Sequence, residues 1–207
     1  MHIGRPAGRF ANGLLALMMV SGSATLAMAQ GHDEHMMDRS APHNPTRQEN
    51  EVVQTVRAAT EKFKDVTNVA GPDPDSYALT FGCVSGGDFG AMGLHYLKGS
   101  ILHDGEIDKN DPEIILFEPT RDGGIRITGA DYIVFVSEWE EKHKGEPPPS
   151  IDGQFFHFFD APNRFGLDPF YTLHVWAWKE NPVGTFANWN PNVSCDAFNP
   201  PPAPPGQ

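Results

Sequence analysis

Several kinds of residue and motif are scarce in this sequence, and each shortage excludes a class of protein. Basic residues are few: 15 Lys and Arg oppose 27 Asp and Glu, and the formal charge of −12 argues against binding to nucleic acid or to an anionic membrane surface. Apolar runs are short, and none reaches the roughly 20 residues of a membrane-spanning helix. The sequence also contains no Ser-His-Asp elbow, P-loop, GxGxxG, HExxH or CxxC motif, so no common catalytic motif identifies an activity.

The first 29 residues are predicted to be a signal peptide. Arg5 and Arg9 precede a short apolar segment, residues 14–20, and the small residues Ala27 and Ala29 occupy the −3 and −1 positions of a cleavage site. We therefore expect export to the periplasm or to the exterior, with cleavage after Ala29.

The rest of the chain divides into three parts. Residues 30–49 are polar and predict a flexible lead, residues 50–198 are predicted to form a single β-rich domain, and residues 199–207 form a proline-rich extended tail. A solvated, unstructured lead is the interpretation that we favour, although four of its side chains are of types that bind copper: His32, His35, Met36 and Met37.

Apolar periodicity predicts one helix followed by strands. Apolar residues recur at helical spacing from Val52 to Ala70, and Gly71 with Pro72 is expected to end the helix. Beyond Ser76 the apolar period falls to about 2, with frequent Gly, Pro and Asp. The predicted strands are 77–84, 90–98, 113–118, 124–128, 131–138, 154–159 and 171–179. The expected fold is mainly β (α+β), an antiparallel barrel or sandwich of roughly six to eight strands with one N-terminal amphipathic helix.

The two cysteines, Cys83 and Cys195, are predicted to form a disulfide. In an oxidising compartment an even pair of cysteines is more often bridged than free. The bridge would join the first predicted strand to the C-terminal segment. Two buried free thiols and a soft metal site are the alternatives that the sequence leaves open.

Three histidines inside apolar strands are the main candidates for chemistry. His95, His157 and His174 lie among aromatic and aliphatic residues, and Glu118 ends a fourth apolar strand. Half-buried imidazoles need partners, and three imidazoles with one carboxylate suit Zn, Fe, Mn or Cu. We therefore predict one divalent transition metal ion bound by these four residues. For any one of these histidines, a hydrogen bond within the core is the alternative.

Further residues are candidates for catalysis or for a ligand pocket. Tyr96 and Tyr132 lie on candidate strands, where their hydroxyls, like the carboxyl of Glu118, could donate a proton or a hydrogen bond. The C-terminal run is rich in aromatic and amide side chains, which suits stacking on a small molecule. The predicted pocket residues there are Trp176, Trp178, Asn188 and Trp189. A long loop pinned to the domain explains the same run without a ligand.

The strand around His174 is apolar on both faces. Alternation places Thr172, Trp176 and Trp178 on the face of His174, and the opposite face is apolar as well. Such a strand suits a sheet covered on both sides, or a homo-oligomer interface. Three classes of function therefore stay open: a metal-dependent protein, a non-catalytic module with an aromatic pocket, and an oligomeric structural or interaction protein.

Several stretches of the sequence are distinctive as a set. They include GAMGLHY at 90–96, PPSIDGQFFH at 148–157 and LHVWAWKENPVGTFANWNPNVSC at 173–195. The set resembles a family of secreted bacterial proteins of uncharacterised function, over about residues 52–196. The resemblance implies a single domain behind a variable secretory leader, and it implies no activity.

Overall fold

The computed structural model describes residues 44–73 and 75–199, which fold around one central β-sheet. The predicted signal peptide, the histidines and methionines of the lead, and all of the tail except Asn199 lie outside the described residues.

The first element is an amphipathic helix, α1, which spans Arg47–Thr60. A capping box starts it: the Thr46 hydroxyl accepts a hydrogen bond from the backbone N–H of Glu49, whose carboxylate accepts one from the N–H of Thr46. Val52 and Val56 lie on its buried face. The predicted N-terminal amphipathic helix is therefore present.

Beyond α1 the apolar stripe continues in two short 3-10 helices, Glu61–Lys64 and Val66–Asn68. A 3-10 helix has three residues per turn, whereas an α-helix has 3.6, so different positions along the segment become buried. Phe63 and Val69 are buried, whereas Val66 is 40% exposed. The single long helix predicted for this region is therefore wrong.

Eight strands follow within the described residues, and six of them form one antiparallel sheet. Their bounds are β1 Tyr77–Ser85, β2 Ala91–Lys98, β3 Ile114–Pro119, β4 Ile125–Phe135, β5 Ser150–Ile151, β6 Gln154–Phe155, β7 His157–Phe159 and β8 Phe170–Val175. The large sheet has the order β1-β2-β3-β4-β8-β7, and β5 pairs with β6. The mainly β fold is thus confirmed. The described residues show no closed barrel, and the predicted barrel or sandwich stays unconfirmed.

Two sequence predictions fail around β4. The two strands predicted over 124–128 and 131–138 form one continuous strand, and a register shift between Leu116 and Phe117 of β3 leaves Thr128 of β4 without a directly paired residue. A second helix, α2 Val136–Lys142, replaces the end of the predicted strand 131–138. Its acidic start and basic end fit the helix dipole. Among the described residues, no helix has the length and apolarity to cross a membrane.

The sheet is covered on both faces by elements of the same chain. On one face, Val52 and Val56 of α1 pack with Tyr132 and Leu173. On the other face, the loop between β7 and β8 and the segment after β8 cover the strands. The buried and half-buried residues that provide this second cover include Phe165, Leu167, Trp176 and Val193. The apolarity of both strand faces is thus accounted for within one chain.

The C-terminal segment is attached to the β1–β2 edge of the sheet. The sulfur atoms of Cys83 on β1 and Cys195 are at bonding distance, so the predicted disulfide is confirmed. Asn190 also forms an isolated antiparallel bridge with Ala91 at the start of β2. These two attachments hold the covering segment over the face that carries the histidines.

Candidate metal centre

Two of the predicted histidines meet beside an aspartate in the middle of the sheet. His95 lies on β2, Asp131 on β4 and His174 on β8. Taking one potential ligand atom from each, these atoms lie within 4.8 Å of one another. All three residues, which we call the triad, are at least 96% buried. Two imidazoles and a carboxylate form a set that binds divalent transition metal ions.

The strand register brings the triad together. Asp131 is paired with His174 across β4 and β8, and with Ile114 across β3 and β4. His95 is paired with Leu116, two residues from Ile114 on β3. Because residues two apart share a face, all three side chains lie on the same side of the sheet. The rings of His95 and His174 are 6.0 Å apart between centroids.

His95 is held in a tautomer that suits metal binding. Its Nδ1 lies 3.1 Å from the carbonyl oxygen of Gly93. Because a carbonyl oxygen only accepts, Nδ1 carries the proton and Nε2 keeps its lone pair. Burial, with a smaller contribution from the charge of His174, lowers the pKa of His95 to about 4. The imidazole is therefore neutral at neutral pH.

His174 has no hydrogen-bond partner at either ring nitrogen, although both nitrogens are buried. Its Nδ1 is 3.5 Å from Oδ1 of Asp131, and its ring stacks on that of Trp176. Burial, followed by the charge of His157, lowers the pKa of His174 to about 3. A buried polar atom without a partner is rare and costs free energy, unless an ion or water completes it.

Asp131 is a buried carboxylate between these neutral rings. The Thr172 hydroxyl donates a hydrogen bond of 2.5 Å to Oδ1 of Asp131. Burial raises the pKa of Asp131 to about 6, and the electrostatic influence of His95 and the Thr172 hydrogen bond oppose this rise. At neutral pH the carboxylate thus has a negative charge in an apolar environment, and a cation there would compensate it.

The triad borders a small cavity, part of which is open to solvent. Apart from the triad and Thr172, its described lining is apolar. The apolar residues are Phe81, Met92, Ile114, Ile133, Phe159, Phe165, Leu167 and Phe170.

The other two predicted ligands lie outside the triad. Glu118 is near the far end of β3, four residues from Ile114, and forms ion pairs with Lys179 and Arg126. His157 lies on β7, half-buried, with its Nδ1 3.5 Å from the amide nitrogen of Asn188. Its charge still lowers the pKa of Asp131 and of His174, so His157 lies close to the triad without belonging to it.

The two predicted acid tyrosines lie on the opposite face of the sheet. Tyr96 follows His95 and Tyr132 follows Asp131, so alternation directs both rings away from the cavity. Tyr96 packs edge-on against Phe117, and the Tyr132 hydroxyl donates to the carbonyl oxygen of Lys109 at 2.7 Å. Burial raises the pKa of both phenols. Neither tyrosine can donate a proton into the cavity from this position.

The four predicted pocket residues do not line the cavity and do not form one surface. Trp176 is buried, and its indole N–H donates to the carbonyl oxygen of Ala187. A tight turn then reverses the alternation, because the N–H of Ala177 bonds to the carbonyl oxygen of Val175. Trp178 consequently lies on the α1 side, where its indole N–H donates to the Thr60 hydroxyl.

The remaining two pocket candidates also have structural surroundings. Asn188 is buried next to His157, and its Oδ1 has no hydrogen-bond partner. The ring of Trp189 lies against Gly86, where there is no room for a side chain, and under the guanidinium of Arg164.

Sequence reasoning missed Asp131 and Thr172. One signal for Asp131 was available: a single acid inside the apolar run 127–135 is costly unless it has a partner. Thr172 had none, because its role depends on the pairing of β4 with β8. Comparisons with protein-family models, curated proteins and solved structures find no match to this chain. Function is therefore inferred from the geometry of the site.

Proposed function

We propose that this protein binds one divalent transition metal ion through His95, Asp131 and His174. The observation that carries the proposal is the imidazole of His174, which has two buried nitrogens without hydrogen-bond partners next to a buried carboxylate. A metal ion would complete the coordination of one ring nitrogen and compensate the charge of Asp131.

The ligand types narrow the choice of metal. Two neutral imidazoles and one carboxylate are the set found in non-haem iron sites and are also suitable for zinc. Among Zn, Fe, Mn and Cu, we therefore favour iron(II) and zinc. A bound ion would supply Lewis acidity toward an oxygen atom of a ligand in the cavity. The chain itself contributes the apolar wall around the ion.

Metal analysis of the purified protein tests this proposal. We expect about one ion per chain in the wild type, and a large loss in Asp131→Asn, which keeps the shape and removes the charge. His103→Ala is the matched control, because His103 is an exposed imidazole paired with Glu138 outside the triad.

Thermal unfolding separates a lost site from a lost fold. Saturating zinc should raise the melting temperature of the wild type and of His103→Ala but not that of Asp131→Asn, which should still unfold cooperatively. A wild-type protein that holds no metal and gains no stability from zinc, iron(II), manganese or copper would overturn the proposal.

A second candidate function is metal-independent binding of an apolar small molecule. The aromatic lining of the cavity favours it. A thermal-shift screen with indole and benzene in the presence of a chelator distinguishes the two functions. Stabilisation that survives chelation supports the non-catalytic binding module, and stabilisation that requires metal supports the metal centre.

We further infer that the protein acts in an oxidising compartment, after export and removal of residues 1–29. The disulfide between Cys83 and Cys195 supports this location. Mass spectrometry of the mature protein should find an N-terminus at Gln30. A full-length, reduced protein in the cytoplasm would contradict the inference.

A further inference from the structure

The cavity beside the triad has an apolar wall and only one polar end. Its polar lining residues are the triad and Thr172, whose hydroxyl is already bonded to Asp131. Four of the apolar lining residues are phenylalanines: Phe81, Phe159, Phe165 and Phe170. A ligand in the cavity therefore meets polar or coordinating atoms at that one end.

Charge balance selects the sign of the ligand's polar end. A divalent ion held by one carboxylate and two neutral imidazoles leaves one positive charge uncompensated. In apolar surroundings such a charge costs free energy, and one negative oxygen donor removes that cost. A monoanion is thus preferred over a neutral molecule or a dianion.

The described cavity lining offers no second anchor for a charged group. No Lys or Arg is among the lining residues. Arg164, the neighbour of the lining residue Phe165, has its guanidinium over the rings of Phe165 and Trp189 and donates to the carbonyl oxygen of Ser85. The remainder of the ligand must therefore be apolar.

We propose that the metal-loaded triad binds a small monoanion that has one oxygen donor group on an apolar body, such as the carboxylate of an aromatic acid. This inference rests on the proposed function, because the metal supplies the positive charge. The four phenylalanines of the lining favour an aromatic body, and the small size of the cavity limits that body to about one ring. Phenylalanine rings contact such a body through edge-to-face and offset-stacked pairs.

Cobalt(II)-loaded protein provides the test, because the visible absorption of cobalt changes when a ligand enters its coordination sphere. The probes are benzoate, acetate, which has the same donor without the ring, and benzamide, which has the ring without the charge. Benzoate should change the spectrum and bind at least about tenfold more tightly than acetate, and benzamide should leave the spectrum unchanged.

The outcomes of this titration separate the two proposals. If cobalt binds but benzoate has no effect, or has no advantage over acetate, the ligand inference is overturned and the metal site stands. If neither cobalt nor zinc, iron(II), manganese or copper binds, the proposed function fails.

A pair of phenylalanine variants locates the binding. Phe165→Ala removes one ring of the wall and should weaken benzoate by about fivefold or more while leaving acetate unchanged. Phe158→Ala is the control, because Phe158 is 55% exposed and does not line the cavity. Equal affinities of benzoate for the two variants would place the ring outside the cavity and contradict the inference.

Discussion

Two buried threonines of the sheet differ in one respect that bears on the triad. The Thr172 hydroxyl donates to Asp131, whereas the Thr128 hydroxyl is buried without a hydrogen-bond partner. Hydrogen bonds to a ligating carboxylate orient it, and their loss commonly weakens metal binding by about 10- to 100-fold.

We predict a loss of this size for Thr172→Val. Competition with a chromophoric zinc chelator measures it. Thr128→Val is the matched control: it removes a hydroxyl that makes no hydrogen bond and should leave the zinc affinity unchanged. Similar affinities in both variants would mean that the hydroxyl of Thr172 does not support the carboxylate.

Glu113 is another buried acid, immediately before β3 and outside the triad. In the core, its Oε2 accepts a hydrogen bond of 3.1 Å from the backbone N–H of Ile133. Burial raises the pKa of Glu113 from 4.5 to about 8, the nearby charges of Asp131 and Asp104 add to this, and backbone hydrogen bonds oppose it.

A raised carboxyl pKa makes the folded state less stable as the pH rises. Below pH 4.5 the acid is protonated in both states, and between 4.5 and about 8 only the unfolded chain loses its proton. Glu113→Gln, which resembles the protonated acid, should therefore gain stability over the wild type by up to a few kcal/mol at about pH 9, and little at about pH 5. Urea unfolding of the metal-free proteins measures the difference. A difference in stability that does not change with pH would contradict the raised pKa of Glu113.

At the scale of the elements, β4 and β8 approach each other closely at Gly129. A Cβ atom at this position would overlap the backbone carbonyl of Val175, which cannot move without breaking the sheet. Gly129→Ala should lower the free energy of unfolding by about 3 kcal/mol or more in urea titrations. Gly99→Ala is the control, because a Cβ there meets no atom within 4 Å. Equal stability of the two variants would show that the strands can separate to make room.

The elements differ in how far the sequence predicts them. Strands such as β2 and β8 have a clear alternation or a long apolar run, and α1 has a capping box and an apolar stripe, so local patterns suffice. α2 has only seven residues and its apolar start continues the run of β4, so the boundary depends on the contact of Val136 with Pro169.

The candidate site is predictable only in part, for a related reason. His95 and His174 stand out locally because an imidazole inside an apolar strand needs a partner. That the partner is Asp131 depends on which residues face each other across β3, β4 and β8, and single-strand patterns contain no register. Glu118 is also a polar residue in an apolar strand, but it lies too far along β3 to belong to the triad.

At the scale of the whole molecule, the disulfide joins two residues that are far apart in the sequence. Cys83 and Cys195 are 112 residues apart, and closing a loop of that length restricts the unfolded chain by about 4–5 kcal/mol in the chain-entropy model. Cys83→Ala with Cys195→Ala should therefore destabilise the protein by several kcal/mol in denaturant titrations. Wild-type protein unfolded under reducing conditions is the comparison and should behave similarly. A loss below about 1 kcal/mol would contradict the expectation.

The alternation along the sheet also limits how this chain can change in length. His95 is followed by Tyr96, and Asp131 by Tyr132, with each neighbour buried or half-buried on the opposite face. Inserting or deleting one residue within β2 or β4 would exchange the two faces beyond that point, so a phenol would replace a ligand of the triad. Length variation compatible with the site is therefore confined to connections outside the cavity lining, such as residues 99–112, which join the strands without setting their register.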